Sequence, residues 1–147
     1  STMTKREIRY RNTALNGVFY YDTKEISEAQ KINELGPLGF EEYCREHVKK
    51  LGYEVKTCQN YDGGIDIRAM KVLDNLETEY LIVQCKHWKT PIPPNEMRAF
   101  KTACDEEHSD YKKVKMFITS SRFSPSAREL ANKHNIIMID GDDLIKQ

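Results

Sequence analysis

The first clear pattern of apolar and polar positions along the chain is helical. Its apolar residues recur every three or four positions and are Phe40, Cys44, Val48 and Leu51. This spacing puts them on one face of a helix, and Gly52, directly after the last of them, is a typical helix terminator. The pattern therefore predicts an amphipathic helix that packs on a core and ends near Gly52.

Runs rich in apolar and β-branched residues follow this helix and predict strands. The runs are residues 53–58, 65–72, 80–86, 114–119 and 136–139. A turn at residues 73–75 joins the second run to the third. The last run is short and apolar, which predicts a buried strand before a final turn of helix.

Two further helical patterns separate the later strands. The first follows a cluster of prolines, and its apolar residues are Met97, Phe100, Ala103 and Cys104. The second begins at Ser124-Pro125, because serine caps a helix and proline is tolerated in its first turn. Its apolar side carries Ala127, Leu130, Ala131 and His134. The alternation of strands and helices predicts an α/β fold.

Length and composition fit one globular domain. The chain has 147 residues, of which 39% are apolar and 31% are charged, a balance typical of a soluble folded chain. No apolar run approaches the roughly 20 residues that cross a bilayer, and residues 1–5 carry no apolar signal segment. We expect no membrane association and a cytoplasmic location, in which the singly scattered cysteines remain thiols.

The charges cancel in number but not in distribution. The chain carries 23 basic and 23 acidic residues, a balance that does not favour binding to a phosphate backbone. Residues 111–134 nevertheless hold six Lys or Arg against one acid, and residues 86–101 hold four against one. These stretches are either ordinary solvated faces or one basic surface.

Two of the strand runs carry polar side chains with catalytic chemistry. Asp66 opens one strand after Gly63 and Gly64, and Gln84 and Lys86 close another. Residues two apart in a strand point to the same face, so Gln84 and Lys86 project together toward Asp66 if the two strands are neighbours. Oxygen ligands for a hard cation, together with an ammonium, are what metal-dependent phosphodiester hydrolysis requires. The pattern therefore predicts the site of a metal-dependent nuclease.

Several separated motifs then resemble one known family. They are Gly39-Phe40-Glu41, Leu51-Gly52-Tyr53-Glu54-Val55, Gly63-Gly64-Ile65-Asp66, Gln84-Cys85-Lys86, the stretch from Thr119 to Ala127, and Ile139-Asp140-Gly141. In this order they resemble the Mrr-like branch of the PD-(D/E)XK restriction endonuclease superfamily, from about Gly39 to Ile145. The resemblance implies a restriction-endonuclease-like core, in which helices flank a central mixed β-sheet in the order α-β-β-β-α-β-α-β.

The resemblance also implies a role for each motif residue. Asp66 would bind the metal, Gln84 would occupy the second acidic position, Lys86 would be the catalytic lysine and Glu41 an accessory acid. Cys85 alternates to the opposite strand face from Gln84 and Lys86, so we expect a small core residue there, with its backbone carbonyl facing the metal. The implied cofactor is Mg²⁺, with Mn²⁺ as a substitute. The chain departs from the superfamily pattern at Gln84, where a carboxylate is usual but Mrr-like members often have glutamine. The missing charge should weaken metal affinity and makes help from Glu41 more important.

Two neighbouring acids compete with these assignments. Glu42 also lies in the first turn of the first helix, where acids stabilise the helix dipole, but Glu41 lies nearer the buried stripe and follows Phe40 as the motif requires. Asp62 precedes two glycines and is expected to shape a turn rather than bind metal.

Residues around the predicted site are candidates for DNA contact or for zinc binding. His87 and Trp88 follow the catalytic lysine, and the indole is suited to stacking. Arg122 precedes a helix N-terminus that is suited to phosphate, and Ser124 either caps that helix or holds phosphate. Cys85 and His87 are too isolated for a structural zinc site, which usually has two ligand pairs.

We therefore divide the chain into residues 1–38, an N-terminal extension or linker with a predicted helix at 26–35, and residues 39–147, a nuclease domain. The expected function is a metal-dependent DNA endonuclease in restriction or defence against foreign DNA. DNA is the expected partner, together with a second copy in a homodimer and a recognition or sensor domain in a longer native chain. A catalytically weak DNA-binding or assembly module and a repair or junction-resolving nuclease remain open alternatives.

Overall fold

The computed structural model describes residues 5–13, 18–25, 27–56 and 64–146. Its elements in chain order are β1 (Lys5–Thr13), β2 (Val18–Glu25), α1 (Glu28–Asn33), α2 (Pro37–Lys50), β3 (Glu54–Lys56), β4 (Ile67–Val72), β5 (Thr78–Lys86), α3 (Pro94–Glu106), β6 (Lys112–Thr119), α4 (Pro125–Lys133), β7 (Ile136–Ile139) and α5 (Gly141–Ile145). From α2 to β7 this is the predicted order of helices and strands.

A mixed five-stranded sheet forms the centre of the fold. Its strand order is β3-β4-β5-β6-β7, with antiparallel pairing from β3 to β5 and parallel pairing from β5 to β7. β5 is the middle strand, and its residue Val83 pairs with Ile67 of β4 and with Met116 of β6. The predicted α/β class and mixed sheet are confirmed.

Helices bury both faces of this sheet. The α2 residues Phe40, Cys44 and Val48 join a core cluster with Leu81 and Val83 of β5. The opposite face packs against α3 and α4, with residues such as Met97, Phe100, Ile82, Phe117 and Ala127 in a second cluster. Alternate residues of β5 therefore enter different cores, as the two-residue period of a strand requires.

Two details of the predicted elements are different in the structure. Leu51 is 40% exposed because α2 ends at Lys50 and Leu51 is its C-cap, whereas Gly52 takes the expected helix-ending conformation with φ of 95°. β7 is not fully buried, since it is an edge strand and Ile137 is 43% exposed. The end of the predicted strand at 53–58 lies outside the described residues.

The N-terminal extension contains more regular structure than the sequence predicted. β1 and β2 pair antiparallel as a separate two-stranded sheet, and α1 lies within the predicted helix at 26–35. Ser27 caps α1 by accepting a hydrogen bond from the Gln30 backbone nitrogen at 3.1 Å. Among the described residues, the helices are all too short or too polar to cross a bilayer.

Candidate active site

Asp66 and Gln84 are in direct contact at the start of β4. The Asp66 backbone nitrogen donates to the Val83 carbonyl at 2.8 Å. This bond joins the chain to β5 one residue before Ile67, the first residue of β4 that pairs with β5. The Asp66 Oδ2 atom accepts hydrogen bonds from Gln84 Nε2 and from the Cys85 backbone nitrogen, both at 2.7 Å. The structure thus brings together the acid and the amide that the sequence placed on neighbouring strands.

Gly64 makes room for this contact. Its φ of 110° is unfavourable for other residues, and a Cβ there would lie 3.1 Å from the Ala103 Cβ of α3 and 3.9 Å from Gln84 Oε1. The glycine therefore lets the chain pass between α3 and Gln84. Gln84 is buried, with only 7% of its surface exposed. The predicted turn residues Asp62 and Gly63 lie outside the described residues.

Lys86 is paired with an acid that sequence reasoning missed. Its Nζ lies 3.3 Å from Oε1 of Glu96, in the first turn of α3, and 5.7 Å from the centre of the Trp88 ring. The signal in the sequence was weak, because Glu96 was only the single acid within the basic stretch 86–101. The ammonium is held between a carboxylate and an aromatic face.

Glu41, in α2, lines a pocket together with Lys86. This pocket of about 270 Å³ is lined by Glu41, Cys85, Lys86, His87 and Trp88 among others. Arg45 Nη2 donates to Glu41 Oε1 at 2.5 Å, while Arg45 Nη1 donates to Glu42 at 3.2 Å. The Glu42 side chain is 60% exposed and does not line this pocket.

The Cys85 side chain points into the core beneath α2, away from Gln84. A hydrogen bond with Cys44 raises the pKa of the Cys85 thiol well above its usual range, and burial and the nearby charges of Asp66 and Glu41 raise it further. The thiol therefore stays neutral. Cys85 contributes to the site through its backbone, as its nitrogen already does at Asp66.

The donor set around Asp66 fits a hard divalent cation. Among the described residues, no group of three or more His, Cys, Asp or Glu side chains is arranged to hold a metal, so the protein would supply the Asp66 carboxylate with neutral oxygens of Gln84 and Cys85. Magnesium is usually bound by one or two carboxylates plus water and substrate phosphate. Both hydrogen bonds to Asp66 fall on Oδ2, which leaves Oδ1 for a cation.

His87 is fixed by its neighbours. Its ring stacks on Phe40 with 4.8 Å between centroids, and its Nδ1 lies 2.7 Å from the Ser120 hydroxyl. Ser120 also donates to the Trp88 carbonyl at 3.2 Å. These contacts connect the residues that follow β5 with the residue that follows β6, and so fix the path of the backbone after Lys86.

A larger cleft of about 920 Å³ adjoins the small pocket and shares His87 and Trp88 with it. Residues of α1 form one wall, α5 contributes Asp142 and Ile145, and Lys89, Ser121 and Arg122 lie between them in the lining. Arg122 is exposed and has no ion-pair partner in the described part of the chain. The structure thus places three of the predicted DNA contacts, His87, Trp88 and Arg122, in one cleft.

Ser124 lies outside the lining of this cleft. Its hydroxyl accepts a hydrogen bond from the Ala127 backbone nitrogen at 3.1 Å and so caps α4. Of the two roles that the sequence left open for Ser124, the structure shows capping.

Three solved structures share this fold. The MspJI restriction endonuclease, solved with a 27-mer oligonucleotide, aligns with a TM-score of 0.53 and 16% identity over 71% of this chain and 25% of its own. The DNA modification-dependent restriction endonuclease AspBHI gives 0.59 and 14% identity over 80% of this chain and 33% of its own. A repair endonuclease from Pyrococcus abyssi gives 0.55 and 10% identity over 73% and 47% of the two chains. At these identities the likeness concerns the fold alone, and the chain spans less than half the length of each structure.

Sequence comparison identifies the family. No curated protein matches the chain at a significant level, but a family model, Mrr_cat, described as a restriction endonuclease, matches residues 32–147. The match begins inside α1 and includes the whole five-stranded sheet, together with all of the residues predicted for the site. The chain belongs to this Mrr-type restriction endonuclease family.

Proposed function

We propose that this domain is a Mg²⁺-dependent DNA endonuclease that acts in restriction or in another form of defence against foreign DNA. The observation that carries the proposal is the Asp66 carboxylate, which accepts hydrogen bonds at 2.7 Å from the Gln84 side chain and from the Cys85 backbone nitrogen. Gln84 lies two residues before Lys86 on β5. Family membership supports the nuclease chemistry, and the oxygen-rich donor set supports the metal.

Each residue of the site has a defined part in hydrolysis. Asp66 would hold the cation through Oδ1, with neutral oxygens from Gln84 and Cys85 as further ligands. When bound, a divalent metal polarises the phosphate and lowers the pKa of a coordinated water. Gln84 and the Cys85 nitrogen keep the Asp66 carboxylate in one orientation, so that little reorganisation is needed when the substrate arrives.

Lys86 and Glu41 act on the substrate side of this carboxylate. Water adds to phosphorus and one P–O bond of the backbone breaks, so negative charge grows on the phosphoryl oxygens. The Lys86 ammonium stabilises that charge or orients the water. Glu41 lines the same pocket and provides a second carboxylate, either for a further cation or for the proton released by water.

The adjoining cleft provides a path for the DNA strand. Trp88 offers an aromatic face for stacking, Arg122 and Lys89 offer cations for phosphates, and His87 shapes the rim between pocket and cleft. Such local charge replaces the net positive charge that the whole chain lacks. We propose Ser124 as an indirect contributor, which fixes the helix after Arg122 rather than touching DNA.

Cutting both strands of a duplex requires two sites. A homodimer is the simplest source of the second site. We also propose that a recognition or sensor domain elsewhere in a longer native chain selects the target. Both partners are proposals that stand on the nuclease assignment.

Asp66→Ala tests the assignment. We expect metal-dependent cleavage of a DNA duplex to disappear, because the only carboxylate among the proposed inner ligands is removed, and calorimetric Mn²⁺ binding to weaken with it. Asp74→Ala, at an exposed position in the β4–β5 turn, is the matched control and should cleave like the wild type. A folded Asp66→Ala protein that still cuts DNA in a magnesium-dependent way would exclude Asp66 as the metal ligand.

A further inference from the structure

The Lys86 ammonium lies between the Trp88 ring and Glu96, a residue that has no role in the reaction described so far. Glu96 approaches it at 3.3 Å, and the two side chains are only 31% and 24% exposed. Trp88 covers it from another side, with 5.7 Å between Nζ and the ring centre. A lysine has a flexible four-carbon stem and a point charge, so without such neighbours its ammonium would sample many positions.

The helix that carries Glu96 is itself firmly anchored. At the C-terminal end of α3, Arg68 of β4 contacts Glu107 twice, at 2.5 and 3.2 Å, and the Tyr80 hydroxyl donates to the same carboxylate at 2.7 Å. These contacts lower the pKa of Glu107, with the Arg68 hydrogen bond as the largest cause. Burial of Met97 and Phe100 fixes the middle of the helix. Glu96 is therefore presented to β5 by an element with little freedom to shift.

Stabilisation of the helix dipole alone does not explain why the Glu96 side chain contacts Lys86. An acid in the first turn stabilises the helix dipole without any partner, and exposure to solvent would serve that purpose. The Glu96 side chain instead leans onto the end of β5. The other lysine–carboxylate pair on α3, Lys101 with Asp105, lies within the helix at 2.5 Å and is more exposed, at 36% and 50%. The Glu96 pair is the one that connects α3 to the catalytic strand.

We propose that Glu96 is a positioning residue, which holds the Lys86 ammonium against Trp88 at the place where the scissile phosphate is bound. The proposal rests on the proposed function, because it assigns a task to Lys86. Glu96 lowers the number of positions open to the ammonium before DNA binds, and phosphate oxygens then compete with the Glu96 carboxylate for it.

Cleavage kinetics of three variants test this role. Glu96→Gln removes the charge, Glu96→Asp keeps it on a shorter stem, and Asp105→Asn breaks the Lys101 pair on the same helix with the same change in charge. We expect Glu96→Gln to lower the single-turnover rate at saturating DNA by about 10- to 100-fold, the range for a misplaced catalytic group. Its DNA affinity in EDTA should be unchanged or higher, since a negative charge near the phosphate is lost. Glu96→Asp should recover part of the rate, and Asp105→Asn should match the wild type.

A second measurement reads the position of Lys86 without any reaction. Carbon-13 relaxation of the Lys86 ε-methylene, in protein free of metal and DNA, should show restricted motion in the wild type and in Asp105→Asn. In Glu96→Gln the motion should approach that of the exposed Lys50. An unchanged cleavage rate in Glu96→Gln, or unchanged Lys86 motion, would overturn the proposal, as would an equal loss of rate in Asp105→Asn. A wild-type protein that cuts no DNA would remove the nuclease assignment instead, and the relaxation data alone would then decide whether Glu96 holds Lys86.

Discussion

Gln84 gives the clearest case in which one side chain changes the electrostatics of the site. A carboxylate at this position would stand within hydrogen-bond distance of Asp66, and two adjacent carboxylates repel until a cation or a proton intervenes. The amide donates to Asp66 instead, at 2.7 Å. The side chains of the site are therefore stable next to each other without a metal. The site also has one negative charge fewer to attract a cation than it would have with a carboxylate at position 84.

Gln84→Glu should reverse this balance. We expect the free energy of unfolding in EDTA to fall by about 1–3 kcal/mol, because a buried hydrogen bond is lost and a like charge is added. Saturating Mg²⁺ should restore most of the loss, and calorimetry should show tighter Mn²⁺ binding than in the wild type. Asn75→Asp, at an exposed position in the β4–β5 turn, makes the same change of charge away from the site and keeps the side-chain oxygen that accepts from the Glu77 backbone nitrogen, so it serves as control. Equal stability of Gln84→Glu in EDTA and in Mg²⁺ would argue against a cation at this position.

The residues of the site differ in how far sequence alone could find them. Asp66, Gln84 and Lys86 lie at the ends of two strands. The two-residue period of a strand was enough to predict that Gln84 and Lys86 share a face, whereas their approach to Asp66 was conditional on the two strands being neighbours, as β4 and β5 are. Glu96 could not be found in this way, because its contact with Lys86 depends on where α3 packs against β5. The role of Glu41 as an accessory acid came only with the family resemblance, whereas that of the Cys85 carbonyl came from the alternation of side chains along the strand, and both remain predictions.

Helix ends were the most predictable elements of the fold, because their signals are local. Gly52 and Ser124 both act at helix termini as expected. The β1–β2 hairpin had no comparable signal, since β1 has the sequence KREIRYRNT, with few apolar residues to reveal a strand.

The loop and helix after β6 separate a structural role from a binding role. Ser124→Ala should lower the free energy of unfolding by about 1 kcal/mol, the usual cost of losing a helix N-cap, with DNA affinity unchanged. Arg122→Ala should leave stability unchanged but weaken DNA binding, and the dependence of log affinity on log salt should become shallower by about one unit. Chemical denaturation and binding titrations at several salt concentrations measure both effects. A loss of DNA affinity in Ser124→Ala that matches the loss in Arg122→Ala would contradict this division.

At the scale of the whole molecule, the site is built around the middle strand of the sheet. β5 supplies Gln84 and Lys86, its antiparallel neighbour β4 begins directly after Asp66, and the flanking helices α2 and α3 supply Glu41 and Glu96. Binding sites of open α/β sheets commonly lie beyond the carboxyl ends of their strands, and the carboxyl end of β5 opens here toward the large cleft. One face of the molecule therefore holds both the proposed chemistry and the proposed DNA path.

Periodicity predicted which segments form the sheet but not how they are ordered. The alternation of strands and helices after Leu51 gave the α/β class, whereas the mixed sheet came from the family resemblance. Strand order depends on contacts between distant segments, for which a single sequence carries no direct signal. The division at residues 38 and 39 remains a prediction; the family match begins slightly earlier, at residue 32.

The most direct test of the nuclease account is cleavage of supercoiled plasmid by the purified chain. Reactions with Mg²⁺, with Mn²⁺ and with EDTA should be run beside Lys86→Ala and beside Lys50→Ala, an exposed lysine of α2. The account predicts nicked or linear DNA with either metal, none with EDTA, and loss of cutting in Lys86→Ala only. Linear product without accumulated nicked circles would also support action by a dimer. DNA binding without cleavage under any of these conditions would contradict the account and favour a binding module that keeps the nuclease fold.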